Sequence, residues 1–388
     1  MTIPKPHITP DSFFHRTTSS PSPSDSLLSP WPITIYFISG NPGLISYYQL
    51  FLSLLSSNIA SSQAARQSGV HIVGHSLAGF ELEPKSTGKR VPTLQNHEKQ
   101  TPQESGKAKH IHNLEEQICF VQSRLDGHMR RLRRDSDPVS TNDLDLDVAS
   151  EKPKVILIGH SVGTYIAMEI LRRHRERQNS GTASNAEGDA DADFDIVGGI
   201  MLFPTVLDIA KSPSGQKLTF LLRIIPQFAL LVSLFARILT ALLPTGMLRG
   251  LVRSVMRAPP ESAVELTTKF LKSKHGVRQA LHMAADEMRN ITSDQWSDDV
   301  WGVSRSTPTA GEKSQPLSRL YFYFGRNDHW VAEQTREEIL AARGGLHAET
   351  GHGPKMIVCE ESVPHAFCLR HNETMANKVA DMVQEIIE

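Results

Sequence analysis

The segment that most restricts what this chain can fold into runs from Lys154 to Arg173. Lys154 to Ile158 is a nearly unbroken apolar run and predicts a strand buried on both faces. Gly159-His160-Ser161-Val162-Gly163 follows, and Thr164 to Arg173 then carries strong helix formers, apolar first and basic later. A strand joined to a helix through G-x-S-x-G predicts a nucleophile elbow, a turn so sharp that glycines must flank the serine. Such a turn lifts the Ser161 hydroxyl above the sheet and sets it at a helix N-terminus, whose positive end favours a developing oxyanion.

The same alternation recurs along the chain. Ile33 to Ser39 predicts a buried strand ending in the turn Gly40-Asn41-Pro42-Gly43, and Leu44 to Ser57 a helix. Val70 to Val73, Phe194 to Phe203, Leu320 to Phe324 and Lys355 to Val358 predict further strands, and Ile111 to Leu132 a helix. Apolar strands alternating with helices predict an α/β class with a mostly parallel sheet covered on both faces. With the elbow, that is the pattern of an α/β-hydrolase fold. No internal repeat of 20 to 50 residues breaks it.

The chain has 388 residues, enough for one large domain over 31–388 with insertions. Three polar stretches, about 84–109, 133–151 and 178–193, hold too little apolar surface to offset the entropy of ordering and are expected to be insertions. Residues 1–30, rich in Ser, Pro and Thr, predict a disordered N-terminal segment without the apolar core of a signal peptide. A formal net charge of −1 with 21% charged residues gives no basic field for nucleic acid, and Arg130, Arg131, Arg133 and Arg134 are expected to form a solvated helix end. Cys119, Cys359 and Cys368 are too few and scattered for a disulfide framework or a metal site, which fits a reducing compartment. The expected chemistry calls for no cofactor and no metal.

A second stretch, Gly74-His75-Ser76-Leu77-Ala78-Gly79, imitates the elbow. Its second glycine falls one place late and Phe80-Glu81-Leu82-Glu83-Pro84 follows in place of a long helix, so Ser76 is expected to end a strand rather than attack. For acyl transfer at Ser161, the Val162 N–H would be one oxyanion donor, and the Asn41 N–H, with that of Gly40 as its alternative, the other. The chain order of serine, acid and histidine points to Asp328 after one late strand and His365 after the next. Among 17 histidines, His352, His371 and His329 are the nearest alternatives to His365, and Asp208 is the alternative acid.

Leu218 to Met256 is unusually apolar, with Pro226 and Pro244 bracketing Gln227 to Leu243 and dividing the insertion, about 218–257, into separate helices. Gln227 to Leu243 is too short for a simple bilayer span and contains Arg237. Ser233, Arg237 and Thr240 predict one polar stripe on a greasy helix that carries Phe228, Leu231, Leu234, Phe235 and Leu239; Arg249, Arg253 and Arg257 form a basic row in the next. The pairing suits helices lying in a membrane or lipid-monolayer interface, with a cap folded over the site as the alternative. Either favours a lipophilic acyl substrate.

Ser39-Gly40-Asn41-Pro42-Gly43 with Tyr47-Tyr48, the Gly159 to Gly163 elbow, Leu202-Phe203-Pro204-Thr205 followed by Ser212-Pro213-Ser214-Gly215, Tyr323 to Trp330, and Val363-Pro364-His365-Ala366-Phe367 together resemble the lipid droplet-associated hydrolase family. The resemblance covers nearly the whole chain outside the polar insertions. It implies Ser161, Asp328 and His365 as the triad, and 218–256 as a droplet-targeting region on the cytosolic face of lipid droplets and the endoplasmic reticulum. It further implies an ester hydrolase acting on neutral lipids or sterol esters, with a droplet-binding tether of little turnover as the alternative. Gly74 to Gly79 departs from the His-x-Gly-His-like turn more usual there.

Overall fold

A computed structural model describes residues 5–17, 31–60, 69–82, 110–136, 152–179, 193–225, 227–257, 259–303, 317–344 and 353–388. Its strands are β1 (His7–Thr9), β2 (Ser12–Arg16), β3 (Ile33–Ile38), β4 (Val70–His75), β5 (Lys154–His160), β6 (Asp195–Leu202), β7 (Arg319–Phe324) and β8 (Lys355–Val358). They form one sheet in the order β1-β2-β4-β3-β5-β6-β7-β8. Pairing is parallel from β4 through β8, and antiparallel only where β2 meets β1 and β4.

Register explains the two covered faces. Ile35 pairs with Ile72 and Ile156, and that row packs under α1 (Gln49–Ala60), through Phe51, Leu52 and Leu55, and under α10 (Asn372–Ile387), through Met375, Val379 and Val383. One residue on, Tyr36 pairs with Val73 and Leu157 and faces the other way, toward α2 (Leu114–Ser136) and α3 (Val162–Asn179). The period of two along each strand thus feeds two separate cores. Each fully buried aliphatic side chain in them contributes roughly 1.5–3 kcal/mol.

Regular structure is already present before Trp31. Residues 7–16, expected within a disordered segment, make the β1–β2 hairpin that closes one sheet edge, with Phe13 fully buried. Its turn is tied to the β4 end: the Asp11 carbonyl accepts the Ser76 N–H at 3.0 Å, and the Asp11 carboxylate accepts the Leu82 N–H at 3.1 Å. The hairpin is only eight residues of strand next to a Ser/Pro-rich run, which hides it in any composition taken over 1–30. Most of the three polar insertions lies outside the described residues, although α2 runs to Ser136 and α3 to Asn179, into the expected starts of the second and third.

Between β6 and β7 stands a helical cap: α4 (Pro213–Ile224), α5 (Phe228–Leu242), α6 (Thr245–Val255), α7 (Glu261–Lys272) and α8 (Gly276–Asn290), with α9 (Glu333–Ile339) following β7. Leu248, Val252 and Val264 form a small core of the cap's own. In α5 Ser233 is buried and Ala229, Val232, Ala236 and Thr240 are half-buried, whereas Leu230, Leu231, Leu234, Phe235, Ile238 and Leu242 are exposed, Phe235 at 65% and Leu242 at 76%. Phe228 and Leu239 are half-buried.

The stripe expected from Ser233, Arg237 and Thr240 is therefore split: Ser233 is buried and Arg237 exposed, because the row of every fourth residue drifts around the helix from its packed to its open side. In α6, Arg249 is half-buried while Arg253 is paired with Glu261 at 2.6 Å. No single helix among the described residues is long and apolar enough to cross a membrane; α4 and α5 would be so together, but they meet at a 95° bend.

Candidate active site

Ser161 lies between the end of β5 and the start of α3 with φ of 53°, the left-handed region that a serine adopts only when its surroundings hold it there. The close approach explains the flanking glycines. A Cβ at Gly159 would stand 2.5 Å from the Gly163 carbonyl oxygen, and one at Gly163 2.4 Å from that of Ile38. The Ser161 N–H donates to the Leu202 carbonyl at 3.0 Å, fixing the turn to the neighbouring strand. Ser76, in the look-alike stretch, is buried, with its hydroxyl accepting the Ile45 N–H at 3.2 Å and donating to Asp11 Oδ1 at 3.3 Å. It ties the turn after β3 to the N-terminal hairpin, and the described residues directly after it, through Leu82, form no helix.

β7 and β8 deliver the acid and the histidine. The His365 Nδ1–H donates to Asp328 Oδ2 at 2.7 Å, and the two side chains are 8% and 2% exposed. The other Asp328 oxygen accepts the Trp330 N–H at 2.8 Å, so the buried carboxyl has a donor on each oxygen. The loop that carries it is pinned by buried Arg336, which donates to the Arg326 carbonyl at 2.8 Å. Asp208 instead meets Lys211 at 2.7 Å. The His329 ring centroid stands 6.3 Å from that of His365, His371 receives α10 at its N-terminus, and His352 lies outside the described residues.

His160 joins these parts. Its Nε2–H donates to the His365 carbonyl at 2.9 Å, which sets the loop after β8 against the elbow. Its Nδ1 therefore accepts, from the Tyr48 hydroxyl at 2.8 Å, and the Tyr48 oxygen accepts the Gly40 N–H at 3.2 Å. Burial pushes His160 well below the ordinary histidine range, with the nearby His365 adding to the effect, and pushes Tyr48 well above the ordinary phenol range. Phe203, itself at φ 50°, packs its ring 5.9 Å from His160 and 5.6 Å from His365.

The turn after β3 is held from the cap. Asn41 Nδ2 donates to the Ala280 carbonyl at 2.9 Å and to Glu287 Oε1 at 3.0 Å, both on α8. Burial raises the Glu287 pKa to about 8, against the lowering effect of the Asn41 hydrogen bond. The sequence singled out neither Tyr48, His160 nor Glu287 for such roles; the only signal was position, His160 inside the elbow and Tyr48 just past the glycine turn.

The architecture matches solved α/β-hydrolases. A haloalkane dehalogenase from Bradyrhizobium elkani superposes with a TM-score of 0.52 at 12% identity, covering 97% of this chain and 94% of that one, a likeness of fold. Among sequence relatives, the lipid droplet-associated hydrolase of Gallus gallus is 25% identical over 351 residues, 90% of this chain and 83% of that one. The lipid droplet-associated hydrolase of Homo sapiens is 25% identical over 359 residues, 91% of this chain and 85% of that one. Residues 32–368 match the profile of lipid-droplet associated hydrolases. The chain thus belongs to the lipid-droplet associated hydrolase family, a group of enzymes of the hydrolase type built on the α/β-hydrolase fold.

Proposed function

We propose that this protein hydrolyses a lipophilic acyl ester, a neutral lipid or sterol ester, at the cytosolic surface of lipid droplets and the endoplasmic reticulum through an acyl-serine on Ser161. The observation that carries the proposal is the His365–Asp328 pair. With Nδ1–H given to a buried carboxylate, Nε2 is the free basic nitrogen of His365, and His160 holds that histidine's backbone beside the elbow. His365 Nε2 takes the Ser161 proton as the hydroxyl attacks the ester carbonyl, then passes it to the departing alkoxide; Asp328 stabilises the imidazolium between those steps. Water, activated by the same nitrogen, releases the acid from the acyl-serine.

The oxyanion donors in this scheme are the N–H groups of Val162 and Asn41. Gly40, the other donor considered, already gives its N–H to Tyr48. The lipid surface is the partner assigned to the outward face of α5, where Leu231, Leu234 and Phe235 are exposed and half-buried Phe228 and Leu239 lie at the edge, with Arg249 and Arg253 at its basic margin. A run of large apolar side chains left exposed along one side of α5 suits a helix that rests in a lipid interface better than one that only closes a cap. A tether with little turnover would use the same face, so chemistry at the serine decides between them.

The deciding experiment is covalent labelling of the full chain by a fluorophosphonate, comparing wild type with Ser161→Ala and Ser76→Ala. Labelling lost in Ser161→Ala and kept in Ser76→Ala is expected. No labelling of the folded wild type would leave the tether, and loss confined to Ser76→Ala would move the nucleophile.

A further inference from the structure

Two observations around Asn41 have no part in the chemistry above. Both hydrogens of its side-chain amide are engaged, and both acceptors belong to the cap helix α8 rather than to the sheet that carries the turn. The Ala280 acceptor is a main-chain carbonyl, which fixes the amide with Nδ2 toward α8, and Asn41 Oδ1 is left buried without a partner among the described residues. A buried amide oriented at the cost of an unpaired oxygen is held by what its nitrogen binds.

We propose that Glu287 is a positioning residue: with the Ala280 carbonyl it grips the Asn41 side chain and thereby aims the Asn41 N–H at the oxyanion. The proposal rests on the hydrolase reading for its catalytic consequence, but the grip itself does not. Tyr48 holds the turn by the Gly40 N–H, the Leu77 N–H holds it by the Gly43 carbonyl at 2.8 Å, and α8 alone holds the Asn41 side chain among the described residues. α8 is in turn braced. Gln279 exchanges two hydrogen bonds with the His112 backbone, each 2.8 Å, and Asp286 accepts the Leu114 N–H at 2.8 Å, so the helix is fixed to the start of α2.

The chemistry of the grip suits its place. Glu287 is 4% exposed, and in its neutral form it offers Asn41 a carbonyl-type acceptor without setting a negative charge beside the oxyanion donors. A glutamine supplies the same acceptor, whereas an alanine removes it and leaves Asn41 Nδ2 with Ala280 alone.

The test uses Glu287→Ala, Glu287→Gln, Asn41→Ala and the Asn41→Ala/Glu287→Ala double variant of the full chain, with two readouts. Hydrogen exchange of the peptide spanning 39–44 is expected to quicken about tenfold in Glu287→Ala and to return near wild type in Glu287→Gln, by loss and restoration of one hydrogen bond. Turnover of a soluble ester is expected to fall about 10- to 100-fold in kcat for Glu287→Ala with KM little changed, in line with a small misplacement of a catalytic group. In the Asn41→Ala background the Glu287→Ala loss should vanish, because the two residues act as one unit. A full Glu287→Ala loss that persists without the Asn41 side chain, or unchanged exchange at 39–44, overturns the proposal. A wild type with no turnover but with the expected exchange pattern overturns the hydrolase reading and leaves the grip standing.

Discussion

The Tyr48 hydroxyl donates to His160 Nδ1 at 2.8 Å while its oxygen accepts the Gly40 N–H at 3.2 Å, so a single phenol joins the turn after β3 to the elbow after β5. His160 extends the line to the His365 carbonyl at 2.9 Å. Since burial keeps both Tyr48 and His160 neutral near pH 7, every proton on the line has one place.

Tyr48→Phe keeps the ring and removes the join. It leaves the buried Gly40 N–H and His160 Nδ1 unpaired, an expected loss of about 1–3 kcal/mol. Urea denaturation measures that loss, and fluorophosphonate labelling at Ser161 should slow alongside it. Wild-type stability together with a wild-type rate would show that the line orders nothing.

Asp328→Asn should preserve the fold and lower turnover by about 10³- to 10⁴-fold, the scale seen when the acid of such a triad is neutralised. Asp208→Asn removes only the Lys211 pair and should stay within about threefold, the range of an exposed ion pair. Initial rates on a short-chain ester separate the two, and the reverse ranking would reassign the acid.

Leu234→Asp combined with Phe235→Asp places two charges on the outward face of α5 without touching its packed side. Flotation with triacylglycerol droplets coated by phospholipid should fall by about tenfold or more, since each buried apolar side chain adds roughly 1.5–3 kcal/mol to such binding. Turnover of a soluble ester should be retained. Undiminished flotation would remove this face from the lipid contact.

Stability should decline on mild acidification. His71, buried against β2 with no hydrogen bond to either ring nitrogen among the described residues, is lowered to about 4 by burial, then by His128 and Arg16; His128 is likewise lowered to about 4. A histidine whose folded pKa is depressed leaves full stability above about 6.5 and loses it as pH falls toward 4, because the unfolded chain binds the proton first. Each contributes a slope of up to about 1.4 kcal/mol per pH unit in that window. Urea midpoints between pH 7 and 5 measure it, and His71→Leu should flatten the decline; an unchanged slope would show that His71 carries none of it.

Much of this was legible in the residues. β5 and its elbow could be found because two glycines and a serine must stand in that order for the turn to close, and β7 because Leu320 to Phe324 are apolar without interruption. Chain order singled out Asp328 and His365, which the structure brings within 2.7 Å of each other. The hold on Asn41 was not legible, because its partners lie 239 and 246 residues away on one helix, α8, to which the sequence assigned no part. Nor was the β1–β2 hairpin, whose stability comes from Phe13 and from Asp11 meeting Ser76 and Leu82, contacts that no local pattern records.

The bond from His160 to His365 spans 205 residues, and this bears on how the protein is born. A ribosome that has delivered the elbow has made a histidine whose buried donor still lacks its acceptor. Only when β8 docks does the carbonyl of His365 arrive to receive it. Under the proposed mechanism, an emerging chain therefore carries Ser161 without His365 until the segment after β8 is made, and the assembled site exists only at the close of folding.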